Sequence, residues 1–139
     1  MTTQAQLVDI YLHDETQLLQ DWYQQTQVSQ DSDLESIAVF PSFEELKEMA
    51  IRWLQQLYKR NQDFFQKALC DKKLCNDKSA CEWWRQIRGE PTLYHELIMT
   101  LIDDQILAPL LATKQLAVAM TLIVTTRFLD RVCEGCNNG

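Results

Sequence analysis

Only three glycines and three prolines punctuate 139 residues, and that scarcity constrains the fold more than any other feature. A β-rich chain of this length needs a turn about every ten residues, and tight turns draw on glycine and proline. Long uninterrupted elements are the alternative, and the apolar residues recur with a helical period. Val8, Tyr11, Leu12, Leu18, Leu19 and Trp22 step by three and four, which predicts a first helix from about Thr3 to Gln27. Ser42 followed by Glu45 forms a capping-box signature, opening a second helix that holds its period to Leu69. Ser79 with Glu82 repeats the signature before a short third helix through Trp83, Trp84 and Ile87.

Thr92, after Pro91, opens a fourth helix to about Leu107, which Pro109 ends or kinks by removing a backbone donor. The fifth, from about Leu110 to Cys133, is apolar at nearly every angle and belongs at the centre. Gly135 sits where a left-handed C-terminal cap belongs. The expectation is an all-α single compact bundle of about five helices over residues 1–139. An acidic connector occupies residues 28–41, and a Cys/Lys-rich loop occupies 70–79. The core centres on Leu116, Val118, Met120, Leu122, Ile123 and Val124.

The longest apolar run, residues 116–124, is about half the ~20 residues of a membrane span, and the first residues carry no signal-peptide pattern. The expected setting is cytoplasmic, away from membranes. Five cysteines, an odd number, lack the spacing of a secreted disulfide framework. In a cytosol they read as reduced, unligated thiols at helix ends. The alternative is metal: Cys133 and Cys136 have the two-residue spacing of a zinc knuckle, completed by two of Cys70, Cys75 and Cys81. No cofactor is called for. Three glycines supply neither a phosphate loop nor a dinucleotide turn, and no Glu-x-x-His pair provides a di-iron site.

Charge is segregated along the chain. Residues 1–46 hold nine acids and no lysine or arginine, whereas residues 47–88 hold ten of the thirteen basic residues against five acids. Steps of seven and eight place Arg52, Lys59, Arg60 and Lys67 within about 100° of one helix face. Lys72, Lys73 and Lys78 follow in the loop, then Arg85 and Arg88. Such a stripe beside exposed aromatics suits a nucleic-acid backbone, with cations replacing counterions and rings stacking bases, whereas tryptophans that are simply core would leave charge alone. Its plainer reading is a solvated face, with Asp63 paired to Lys59 or Lys67 at four-residue spacing.

Two resemblances extend this picture. Arg88, six residues, then His95 resembles the motif of HEPN-type ribonucleases, all-helical domains of about this length. That resemblance implies metal-independent RNA cleavage, with histidine in acid–base work and arginine on the phosphate. Gly89 and Pro91 depart from the usual form. The acidic first third, basic middle and apolar last helix together resemble the small helical subunits of CRISPR effector complexes. This second resemblance implies a non-enzymatic subunit of an antiviral nucleoprotein assembly. Its partners would be other protein subunits and the backbone of RNA or single-stranded DNA. A protein–protein adaptor bundle with no nucleic-acid role is the third class.

Overall fold

The computed structural model describes residues 3–27 and 41–136. The acidic connector, apart from Pro41, lies outside the described residues. Among those residues there is no strand, only an isolated bridge between Lys73 and Ser79. Among the described residues eight α-helices stand where five were expected: α1 (Gln4–His13), α2 (Glu15–Thr26), α3 (Phe43–Arg60), α4 (Gln62–Gln66), α5 (Ala80–Ile87), α6 (Tyr94–Asp103), α7 (Leu116–Thr125) and α8 (Phe128–Glu134). A π turn, Lys67–Asp71, continues α4, and short 3-10 turns at Pro91–Leu93 and Thr113–Gln115 lead into α6 and α7.

Each undercount has a local cause. The first expected helix breaks at Asp14, whose extended backbone lets its carboxylate accept from the Gln17 N–H and start a new helix. The second breaks at Asn61 (φ −133°), which turns its side chain back onto the Leu57 carbonyl. The fourth ends at Asp103, ahead of Pro109, because Gln105 adopts a left-handed φ of 52°. Arg127, at φ 62°, splits the last helix into α7 and α8. Both Ser79/Glu82 bonds of the predicted box form, and Ser42 accepts from Glu45 as expected. Gly135 is not left-handed (φ −82°). A side chain there would run into the Gln66 amide and lie 3.2 Å from the Tyr58 hydroxyl. The glycine serves close approach.

Every residue of α7 from Leu116 to Val124 is buried, including all six expected core positions. A helix apolar on all sides has to be surrounded, and α1, α2, α6 and α8 contact it. Thr121, the polar residue among them, bonds its hydroxyl to the Ala117 carbonyl. At the other end of the molecule α4, the π turn, α5 and α8 pack together, while α3 contacts both α2 and α8. No helix among the described residues is long and apolar enough to cross a membrane.

The α1–α2 corner is tied by the Tyr11 hydroxyl, which donates to Asp21 at 2.6 Å. Burial, then the Asp21 bond and its charge, push the phenol pKa well above its ordinary value of 10. This contribution is complete below pH ~10, the unfolded phenol's pKa, and is lost as pH rises through the folded value. Tyr11→Phe should therefore cost about 1.5–3 kcal/mol at neutral pH, the worth of a bond to a charged acceptor. It should also flatten the alkaline fall in stability, as read by denaturant melts from pH 7 upward. Leu122→Ala, at a site 1 % exposed, should cost about 2–5 kcal/mol by urea denaturation.

Candidate nucleic-acid interface

The basic stripe begins on α3, whose first turn carries Glu44 and Glu45 and whose last carries Lys59 and Arg60. That order matches the helix dipole, so part of the segregation serves the helix itself. Lys59, Arg60 and Lys67 are exposed and make no ion pair among the described residues. Arg52 has one loose pair, 4.0 Å from Glu48. The break at Asn61 divides the stripe, and Lys67 sits on the π turn beyond it.

Between α3 and α8 lies a cleft of about 350 Å³ lined by Arg52, Lys59 and Arg131 together with Gln55, Gln56 and Gln62. No carboxylate lines it. Three cations and three amides around one concavity, with Glu48 at 4.0 Å from Arg52 but outside the lining, provide the donors that phosphate oxygens accept from. Arg131 was not among the expected residues. It lies far downstream of the stripe, and only the packing of α8 on α3 brings it to the cleft.

The other nominated residues fare differently. Lys73 donates to Glu82 at 2.8 Å. That bond raises the lysine's pKa and, with the Ser79 backbone, lowers that of the glutamate, so Lys73 is already partnered. Lys78 donates to Gln86, and Lys72 reaches the Asp104 carbonyl at a long 3.5 Å. Arg85 is exposed beside a second cleft that Asp130 and Glu134 also line. Arg88 pairs with Asp130 at 3.4 Å.

The aromatic half of the expectation is corrected. Trp83 and Trp84 are 8 % and 1 % exposed, and Trp53 is partly buried edge-on to Trp22. Trp83 and Trp84 fill the core and are unavailable for stacking bases, while Trp53 packs against it and also lines a surface cleft with Arg52 and Gln56.

Arg88 and His95 line different clefts. Arg88 faces Asp130, while His95 approaches the Ala5 carbonyl at 3.2 Å and shares a separate cleft with His13, Asp9 and Thr92. None of these clefts is lined by both residues of the ribonuclease pairing.

The cysteines overturn the expectation of reduced, unpaired thiols. Cys70 is bonded to Cys136 and Cys81 to Cys133, with Cα separations of 5.6 and 5.5 Å; only Cys75 is free, and it is exposed. The pairing is set by tertiary packing, since α8 lies against both the π turn and α5. The bridges are nested, which spacing alone could not choose. Closing the 52-residue separation contributes about 4 kcal/mol in the chain-entropy account, and the outer bridge about 3 kcal/mol more because little loop remains.

Asp130 binds this end together without having been singled out in the sequence. One carboxylate oxygen accepts from the buried Trp84 indole at 2.8 Å, and the other faces Arg88 and Arg127 at 3.4 and 3.5 Å. Asp130→Ala should destabilise by about 1–3 kcal/mol because it orphans the indole N–H. Asp130→Asn keeps an acceptor and loses only exposed pairs, so it should cost less than about 1 kcal/mol, measured by thermal unfolding. The chain matches no protein-family model, and comparison with curated proteins and solved structures likewise returns no match.

Proposed function

We propose that this protein is a non-enzymatic helical subunit of a nucleoprotein assembly. It would contact the sugar-phosphate backbone of RNA or single-stranded DNA through the α3–α8 cleft and the flanking Arg60 and Lys67. The observation that carries the reading is the cleft itself: Arg52, Lys59 and Arg131 converge from two distant parts of the chain with no lining carboxylate. A solvated helix face needs no such convergence. With Trp83 and Trp84 buried and Trp53 partly so, contact rests mainly on charge and amide hydrogen bonds, which favours phosphate over base and predicts weak sequence preference.

The acidic N-terminal third is the natural face for neighbouring subunits, since it repels the same polyanion. This division of faces is what the resemblance to CRISPR effector small subunits implies, and with it a cytoplasmic antiviral role. Of the stripe first expected, Lys73 and Arg88 leave the proposed contact set because their carboxylate partners stand at 2.8 and 3.4 Å, closer than the 4.0 Å between Arg52 and Glu48.

The test is binding of the protein, free and in its purified native complex, to a fluorescent single-stranded RNA across a salt series. Arg52→Glu with Arg131→Glu should weaken binding and flatten the log–log salt slope by about 0.7–0.9 for each lost phosphate contact. Arg60→Glu with Lys67→Glu should do the same, while Lys114→Glu, exposed before α7, should change little. Unchanged affinity and slope in the cleft variants would reduce the cleft to solvated surface and leave the adaptor reading in its place.

A further inference from the structure

The two bridges stand side by side, with three of their four sulfurs clustered. The sulfur atoms of Cys70, Cys81 and Cys136 lie within 4.8 Å of one another, and that of Cys133 is bonded to Cys81. Two isolated structural bridges have no need to be neighbours. A tetrahedral tetrathiolate centre does: with metal–sulfur bonds of about 2.3 Å, its sulfurs stand about 3.8 Å apart. Reaching that spacing requires both S–S bonds to break, the three clustered sulfurs to shift and the Cys133 sulfur to swing towards them.

The surroundings fit such a centre. Cys70, Cys81 and Cys133 are 4 %, 1 % and 6 % exposed, dry enough to protect metal–thiolate bonds. Cys133-x-x-Cys136 straddles the end of α8, and Gly135 between them lets Gln66 and Tyr58 close over the turn. A small cleft lined by Gln66, Lys67, Cys70 and Cys136, with Asp63 and Asp71 at its sides, gives a cation a path from solvent. Cys81 occupies the first turn of α5, where the helix dipole favours an anionic sulfur. Cys75, exposed and unbonded, is not part of the cluster.

We infer that Cys70, Cys81, Cys133 and Cys136, when reduced, form a tetrathiolate site for one zinc-class divalent cation, and that the paired disulfides are its oxidised, metal-free state. The interconversion balances with a peroxide as oxidant. Each peroxide takes two electrons from two thiolates, its O–O bond breaks as one S–S bond forms, and two protons from solvent complete two waters. Two turns of this reaction release the cation and give both bridges. A dithiol or phosphine reductant reverses it. The inference also removes a tension with a cytoplasmic setting, where disulfides are rare and zinc thiolates are not. It stands independently of the nucleic-acid reading.

The experiment reduces the full-length protein anaerobically, removes the reductant, and titrates it with zinc and separately with cobalt(II), with circular dichroism followed throughout. Expected are one equivalent of either ion, the visible bands of tetrahedral cobalt tetrathiolate, and release of the zinc on addition of two equivalents of hydrogen peroxide. Cys75→Ser should retain the full equivalent, whereas Cys81→Ser and Cys136→Ser should each lose the tetrathiolate spectrum. Reduced wild type that takes up no stoichiometric cation, whether or not it stays helical, overturns the inference. So does uptake that depends on Cys75, or a cobalt spectrum untouched by both other variants.

Discussion

The burial of α7 is the constraint from which the rest of the architecture follows. Nine consecutive residues, Leu116 to Val124, present apolar atoms in every direction, so one packed face would leave the opposite face in water. Burying each large side chain is worth about 1.5–3 kcal/mol, and that gain is collected only if neighbours close on all sides. The amphipathic α1, α2 and α6 do so, each turning an apolar stripe inward. Arg127 then breaks the helix at a left-handed residue, and the chain turns back as α8 towards the cysteine-rich end. The same short return places Asp130 on Trp84, Arg131 on the cleft and two cysteines on their partners.

Fold class and core were readable in the sequence because both depend on local periodicity. Few turn residues ruled out a β architecture, and the run at 116–124 located the centre. Capping was readable where a serine preceded a glutamate by three residues. Breaks were harder. Asp14 is an N-cap inside a helical pattern, and the apolar positions on either side continue the same period, so pattern alone bridges the gap. Asn61 changes direction without leaving negative φ, Arg127 through a left-handed φ that favours glycine, and no glycine or proline marks either.

The candidate interface shows where such reading stops. Arg52, Lys59 and Arg60 share a helix, so their common face was visible in the spacing. Arg131 joins them, and Asp130 withdraws Arg88, only through the packing of α8, which no local signal encodes. The tryptophans misled for a related reason. An aromatic beside a basic residue has the same sequence appearance whether its ring faces solvent or core. The cysteines carry the same lesson: the two-residue spacing of Cys133 and Cys136 suggested that they act together, whereas the structure bonds each to a different element.

The nested bridges also fix how the molecule would carry mechanical load. Cys70 and Cys136 are 66 residues apart in sequence yet joined directly by a covalent bond. A pull applied to the chain on either side of that pair would pass through the sulfur–sulfur bond, so α5, α6, α7 and α8 would bear none of the tension along their own backbone. Between the two cysteines nothing could be drawn out, and the buried α7 would stay wrapped on the side that α6 and α8 cover. In the reduced, metal-free state that shortcut is absent, and force would reach the core directly. Extensibility under tension would thus report the oxidation state of four sulfurs.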